Sequence, residues 1–242
     1  MRKYYYDLHI HSCLSPCGDN DMTVNNIAGM GKIAGFQIMA LTDHNCVKNL
    51  PAFFSACENY GIIAIGGMEL TTAEDIHMIC LFDSLNKAML FGEEVEKRLI
   101  KVKNKPEIFG EQLILDKDDN VIGNEECLLI NATDLSLQEG YDLCQKFGGV
   151  AYPAHIDRDS NGIIAVLGDF PESPEFSCVE FYDFEKKSEY RKRFPILNNK
   201  IIIQSSDAHY LDKIPDAKNY FEFDENLSPD EVRKSVISYL KG

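Results

Sequence analysis

The chain has no long apolar run, no closely spaced cysteine pair and no surplus of basic charge. Each absence removes a class of protein. Crossing a bilayer takes about 20 consecutive apolar residues, so no membrane partner is expected. The stretch Met1 to Asp7 lacks the apolar core of a secretory signal. The eight cysteines show no CxxC spacing, and Cys57, Cys80, Cys127 and Cys144 lie in apolar runs, where reduced cysteines serve as small core residues. These features together predict a cytoplasmic protein. Repeats and low-complexity tracts are missing too, so one domain over residues 1–242 is expected.

Basic residues number 24 against 39 acidic ones, a net charge of -15. Such a surface repels the phosphates of nucleic acid, and stable binding of duplex nucleic acid is not expected. A small phosphorylated substrate stays admissible, because bound metal ions reverse the charge locally. Apolar residues make up 45% of the chain, enough for a core without disulfide support.

Short apolar runs alternate with helical patterns, which predicts a parallel α/β architecture. Seven strands are expected, over residues 4–10, 36–41, 62–65, 76–82, 149–153, 177–181 and 200–204. Thr23 caps a first helix, Gly61 ends a second, and a long one runs from about Leu85 to Val102. Ser136-Leu-Gln-Glu139 and Ser228-Pro-Asp-Glu231 are capping boxes that open two more. Phe109 to Leu115, a polar turn at Asp118-Asp119-Asn120, and Val121-Ile122 read as a β-hairpin. It lies in an insertion spanning roughly residues 104–135.

The six histidines are spread over the whole length. Five of them, His9, His11, His44, His155 and His209, fall at or just past the end of an expected strand, and His77 opens one. The loops that follow the strands of a parallel α/β barrel open on one face, so residues distant in sequence meet there. His9-Ile-His11 places two imidazoles on one face of a strand, and Asp207-Ala-His209 repeats the spacing. Glu69, in Gly67-Met-Glu69, adds a carboxylate to the same rim. Singly, an HxH pair, a lone His77 or a strand-end Glu69 is ordinary. Converging on one rim, they predict a metal centre. Imidazole with carboxylate suits Zn²⁺, Mn²⁺ or Fe.

The stretches Asp7-Leu-His9-Ile-His11-Ser12, Leu41-Thr-Asp43-His44, Gly67-Met-Glu69, His77, Pro153-Ala-His155 and Ser206-Asp207-Ala-His209 resemble, in order, those of the polymerase and histidinol phosphatase (PHP) superfamily. The resemblance implies a distorted (β/α)7 TIM-like barrel, here with a β-hairpin insertion, and a two- or three-metal phosphoesterase. It implies that His9, His11, Glu69 and Asp207 hold a first metal. Glu69 would bridge to a second, completed by His77 and His155, and His44 and His209 would hold a third. The family usually adds a His or Asp to the third site from the loop after HxH. Here that loop reads Ser15-Pro-Cys17-Gly-Asp19, which makes Cys17 the expected ligand and Asp19 its competitor.

The expected activity is hydrolysis of a small phosphomonoester, such as a nucleotide or histidinol phosphate, by metal-activated water. Glu69, Asp207 and Arg158 are the expected catalytic residues. Arg158, three residues after His155, offers a bidentate phosphate clamp, against an ordinary ion pair with Asp157 or Asp159. His209 is the second expected substrate contact. Asp7, Asp43 and Ser206 are placed to orient imidazoles, and Glu180, ending the sixth strand, to reach the rim. Two alternatives compete: a metal-dependent amidohydrolase and a non-catalytic metal- or nucleotide-binding domain. The first lacks a lysine at a mid-barrel strand end, and the intact ligand set argues against the second.

Overall fold

The computed structural model describes all residues from Met1 to Gly242. It opens with strand β1 (Arg2–Asp7), helix α1 (Val24–Ala34) and strand β2 (Ile38–Leu41). Helix α2 (Leu50–Tyr60), strands β3 (Ile63–Thr71) and β4 (His77–Phe82) and helix α3 (Leu85–Arg98) follow. Next come a short helix α4 (Pro106–Phe109) and strands β5 (Leu113–Leu115) and β6 (Val121–Asn124). Helix α5 (Leu137–Lys146), strand β7 (Val150–Pro153), helix α6 (Ile163–Leu167) and strand β8 (Cys178–Phe181) continue the chain. Helix α7 (Lys187–Arg193), strands β9 (Ile201–Gln204) and β10 (Tyr220–Phe223) and helix α8 (Pro229–Lys241) complete it.

The expected capping signals act as read. The Thr23 hydroxyl accepts from the Asn26 N–H, and both capping boxes close reciprocally. Gly61 ends α2 at φ 69°, a left-handed conformation that costs glycine little. Helix α3 stops at Arg98, short of the expected Val102, because Leu99 and Lys103 turn to extended pairing with Thr133 and Cys127.

The strands differ from the expected all-parallel barrel. Six of them form one mixed sheet in the order β10-β1-β2-β3-β4-β7, and β8 and β9 form a separate parallel pair. Only the β1–β2 and β2–β3 pairings are parallel within the large sheet; β4 runs against both β3 and β7, and β10 against β1. The reason lies in the β3–β4 connection, residues 72–76, where the Thr72 N–H donates to the Ile76 carbonyl and Asp75 takes φ 63°. A parallel return needs a crossover of a dozen or more residues. The large sheet curls, and the β8–β9 pair stands across its opening. A bridge between Ile10 and Ala208 ties one side to β1, and the Ile156 N–H donating to the Glu180 carbonyl ties the other to β7.

Alternation along the strands sorts side chains to two cores. Met78, Cys80 and Phe82 of β4 join the larger one beneath the helices, with Phe53 and Phe91. Ile79 and Leu81 join the second, inside the curl, with Tyr6, Ile38, Tyr152 and the apolar face of α8. Cys57, Cys80 and Cys144 are buried free thiols, as expected, and Cys127 is half-buried.

Between α3 and α5, strands β5 and β6 pair antiparallel with a bulge at Ile114/Leu115. Three buried amides dock this segment. Asn45 Nδ2 donates to the Leu129 and Asn131 carbonyls. Asn49 Nδ2 donates to Leu113 O and its Oδ1 accepts from Leu115. Gln112 Nε2 donates to the carbonyls of Glu125 and Cys127.

Candidate metal centre

His9 and His11 lie just past β1, His44 past β2, His155 past β7, and Asp207 and His209 past β9. Glu69 is inside β3, which runs six residues beyond Ile65, its expected end. His77 is the first residue of β4. Because β4 runs antiparallel, its first residue lies at the same sheet end as the last residues of β3, with His77 opposite Thr71. The one histidine that opens a strand therefore joins those that follow strands.

The Glu69 carboxylate, 1% exposed, is ringed by five imidazoles. Its Oε1 lies 2.8 Å from His77 Nδ1, 3.2 Å from His155 Nε2 and 3.4 Å from His9 Nε2. Its Oε2 lies 3.0 Å from His44 Nδ1 and 3.2 Å from His11 Nε2. Asp207 Oδ1 is 3.2 Å from the Nε2 atoms of both His9 and His11, which are themselves 3.1 Å apart. Donor atoms gather within 4.8 Å of one another in three sets: His9, His11, Glu69 and Asp207; His44, Glu69 and His77; and His11, His44 and His209.

This arrangement fits divalent metal. Ligand bonds of about 2.0–2.1 Å in a tetrahedron set neighbouring donors about 3.3 Å apart, the spacing of the first set. Asp207 Oδ1 and His44 Nδ1 are buried without a hydrogen-bond partner, a costly state that an ion removes. His155 (φ 26°) and Asp207 (φ 51°) hold left-handed backbone that side chains seldom adopt, strain of the kind kept at functional sites.

Surrounding groups fix the imidazoles. His9 Nδ1 lies 2.8 Å from Glu180 Oε1, so it carries the proton and leaves Nε2 free for metal. The same Glu180 oxygen accepts the His155 N–H. His11 Nδ1 donates to Ser15 Oγ, and Ser15 in turn donates to Asp43. His209 Nδ1 donates to the Asp207 carbonyl, again freeing Nε2. Asp7 orients no ring; it accepts the backbone N–H groups of His9 and Ser206 and so joins the ends of β1 and β9. Ser206 Oγ likewise bonds the His9 carbonyl. Ser15 had no sequence signal beyond its neighbourhood to His11.

Charge in the cluster is divided. Burial pushes the Glu69 carboxyl up, but His77, His9 and His44 outweigh it and hold it well below the ordinary range. Burial also opposes ionisation of Asp207, and His9 and His11 bring it down. Burial pulls His11 down, yet the adjacent carboxylates of Asp207 and Glu69 lift it to about 9. Burial keeps His44 well below its usual value and lowers His209 to about 4, so both are neutral imidazoles.

Two expected residues are placed differently. Cys17 belongs to none of the three donor sets. Burial, then the carboxylates of Glu69 and Asp207, push its thiol well up. Asp19 is outside the sets as well; its side chain accepts the Asp21 N–H in a local turn. The third set is instead completed by His11. Arg158 pairs with Asp207 Oδ2 at 2.5 Å, rather than with Asp157 or Asp159, and stacks on the Tyr182 ring, 4.1 Å from its centroid. Tyr182 carried no sequence signal.

Comparison with known proteins agrees with this geometry. The PHP domain family model matches residues 7–152. A stretch of 75 residues is 33% identical to the PolC-type DNA polymerase III of Bacillus subtilis, covering 28% of this chain and 5% of that protein. The lesion-specific endonuclease EndoQ of Pyrococcus furiosus superposes with a TM-score of 0.65 at 17% identity, covering 98% of this chain and 56% of its own. A Bifidobacterium adolescentis protein, assigned as a metal-dependent phosphoesterase, superposes with a TM-score of 0.59 at 16% identity, covering 99% and 97%. The chain thus spans a twentieth of the polymerase and about half of the endonuclease.

One expectation is corrected here. A second Endonuclease Q structure, similar over 100% of this chain with a TM-score of 0.63, holds a 27-mer duplex with an abasic lesion at its active site. That protein shares this fold, so the net charge of the whole surface does not by itself exclude a duplex. A metal-lined site sets its own local potential. No helix is long and apolar enough to cross a membrane.

Proposed function

The chain belongs to the PHP domain family, and from that premise we propose that it is a metal-dependent phosphoesterase that hydrolyses a small phosphomonoester. The observation that carries the reading is the ring of five imidazoles around Glu69, with Asp207 closing the first donor set.

His9, His11, Glu69 and Asp207 would hold one ion. Glu69 with His77 and His155 would hold a second, and His44 and His209 a third, which His11 also faces although its one free nitrogen, Nε2, would serve the first ion. When bound, such ions polarise the phosphoryl group and lower the pKa of an attacking water. Glu69 reaches two donor sets because each of its oxygens faces a histidine of both: Oε1 faces His9 and His77, and Oε2 faces His11 and His44. Glu180 holds the His9 tautomer, and Asp43, through Ser15, holds that of His11. Arg158 sits at the mouth of the cluster, with only one nitrogen committed to Asp207. Its remaining N–H groups would contact phosphoryl oxygens, and the half-buried His209 is the second group that would meet the substrate.

The test pairs elemental analysis of the purified protein with a phosphate-release screen of the metal-loaded form. The screen includes nucleoside monophosphates, histidinol phosphate and a duplex carrying an abasic site. At least two equivalents of Zn, Mn or Fe and turnover of a monoester are expected. Cleavage of the duplex alone would replace the small substrate, and failure to take up metal would remove the reading altogether.

A further inference from the structure

A groove of about 680 Å³ lies beside the cluster, between the loop after β1 and helix α4. Its walls carry Cys17 on one side and Ile108 and Phe109 on the other, with Tyr210 at one end. Tyr210 directly follows His209 of the third donor set. The groove adjoins the site at one backbone contact, and a second contact fixes its own two walls against each other. The Asp19 N–H donates to the His209 carbonyl at 2.9 Å. Gly110, at φ 88°, lies so near the loop that an added Cβ would come within 2.6 Å of the Pro16 carbonyl, so only glycine lets α4 pack there.

The lining is unusual for the rim of a charged centre. Ile108 is 64% exposed, Phe109 41% and Tyr210 49%. Grouped apolar surface beside a polar site marks a contact face. No Lys or Arg lines the groove, and its charged residues, Asp19 and Glu111, are both acidic. A second phosphate is therefore repelled, while a flat uncharged ring gains contact with Phe109 and Tyr210.

We propose that this groove binds the leaving group of the substrate, and that the leaving group carries a flat, uncharged aromatic ring, as a nucleoside or an aryl alcohol does. The proposal rests on the phosphoesterase reading, which places the phosphoryl group at the donor sets. The groove then selects among monoesters by what lies beyond the ester oxygen.

The chain contains no tryptophan, so Phe109→Trp places a single indole reporter in the groove. In the metal-loaded full chain its emission is quenched on titration with adenosine 5′-monophosphate or phenyl phosphate, and is unmoved by glycerol 3-phosphate. In parallel, Phe109→Ala lowers kcat/KM for the ring-bearing esters by about tenfold, the scale of one lost stacking contact, and leaves glycerol 3-phosphate turnover unchanged. A response to adenosine 5′-monophosphate alone identifies a nucleoside, and an equal response to phenyl phosphate identifies any aryl ring. Equal losses for all three esters, or none, overturn the proposal. If no ester releases phosphate, the phosphoesterase reading falls, and the indole titration still decides the groove: quenching supports it and a flat response rejects it.

Discussion

Glu69 is buried and both its oxygens are committed to imidazoles, five of them between 2.8 and 3.4 Å away. A carboxylate can serve two donor sets because it spreads one charge over two oxygens; an amide presents one acceptor and no charge. Glu69→Gln is therefore expected to lose at least one metal equivalent and all turnover. Elemental analysis checks it, and a full metal complement with normal activity would contradict it. Glu180 acts at one remove, as a positioning residue. Its Oε1 fixes His9 and the His155 backbone, so Glu180→Ala should weaken metal binding by about 10–100-fold. Glu180→Gln keeps an acceptor oxygen and should recover part of the loss, an outcome that simple destabilisation would not produce. Arg158→Ala is expected to raise KM for a monoester by about tenfold or more, the value of one charge-assisted hydrogen bond, with metal content unchanged. An unaltered KM would reduce Arg158 to a clamp on Asp207. The residues that gather at the cluster were legible because HxH, DxH and their places along the strands survive in one dimension. Tyr182 and Ser15 were not, since what defines them is contact with Arg158 and His11 across distant stretches.

Elements were legible where local signals set them. Capping boxes, the Thr23 cap and Gly61 fall where the hydrogen bonding places them. Strand direction was misread, although a signal was present: residues 66–75, left between the two expected strands, are already fewer than a crossover needs, and the observed connection is residues 72–76. That same reversal explains why His77 opens a strand while the other histidines follow theirs. Strand β10 was missed because Tyr220-Phe-Glu-Phe223 is short and pairs only at the sheet edge with β1. The segment between α3 and α5 owes its position to side chains rather than to a strand of the main sheet. Asn49 alone holds Ser12, Leu113 and Leu115 through three hydrogen bonds at 2.9–3.1 Å. Asn49→Ala leaves these buried groups unpaired at a cost of about 1–3 kcal/mol each when water cannot reach them. Faster amide exchange confined to residues 113–127, with metal content retained, is expected by hydrogen-exchange mass spectrometry. Unchanged exchange there would show that Asn45 and Gln112 suffice.

At the scale of the molecule, the site and helix α8 occupy opposite ends of the curled sheet. The donors cluster where β1, β2, β3, β7 and β9 end and β4 begins. Helix α8 closes the other end: Arg233 Nε donates to the Ala64 carbonyl near the start of β3, and Lys241 Nζ to the Gly148 carbonyl just before β7. Between them, Val232, Val236, Ile237 and Leu240 fill the inner core against Tyr6, Ile79 and Tyr152. The amphipathic pattern of this helix was legible, but not that it plugs the curl, because no residue in it names the strands it meets. The separation permits a test of whether folding and metal binding are independent. Leu240 is fully buried, and Leu240→Ala should cost about 2–5 kcal/mol through lost burial and the cavity left behind. In a chain of this size each kcal/mol lowers Tm by about 2–4 °C. Below the new transition, folded protein should bind metal with unaltered stoichiometry and affinity, since no donor touches the helix. Calorimetry of the metal-free and metal-loaded variant measures both quantities. Metal should raise Tm by the same increment in variant and parent, because ligand stabilisation depends only on affinity for the folded state. A smaller increment in the variant would mean that the plug at one end reaches the donors at the other.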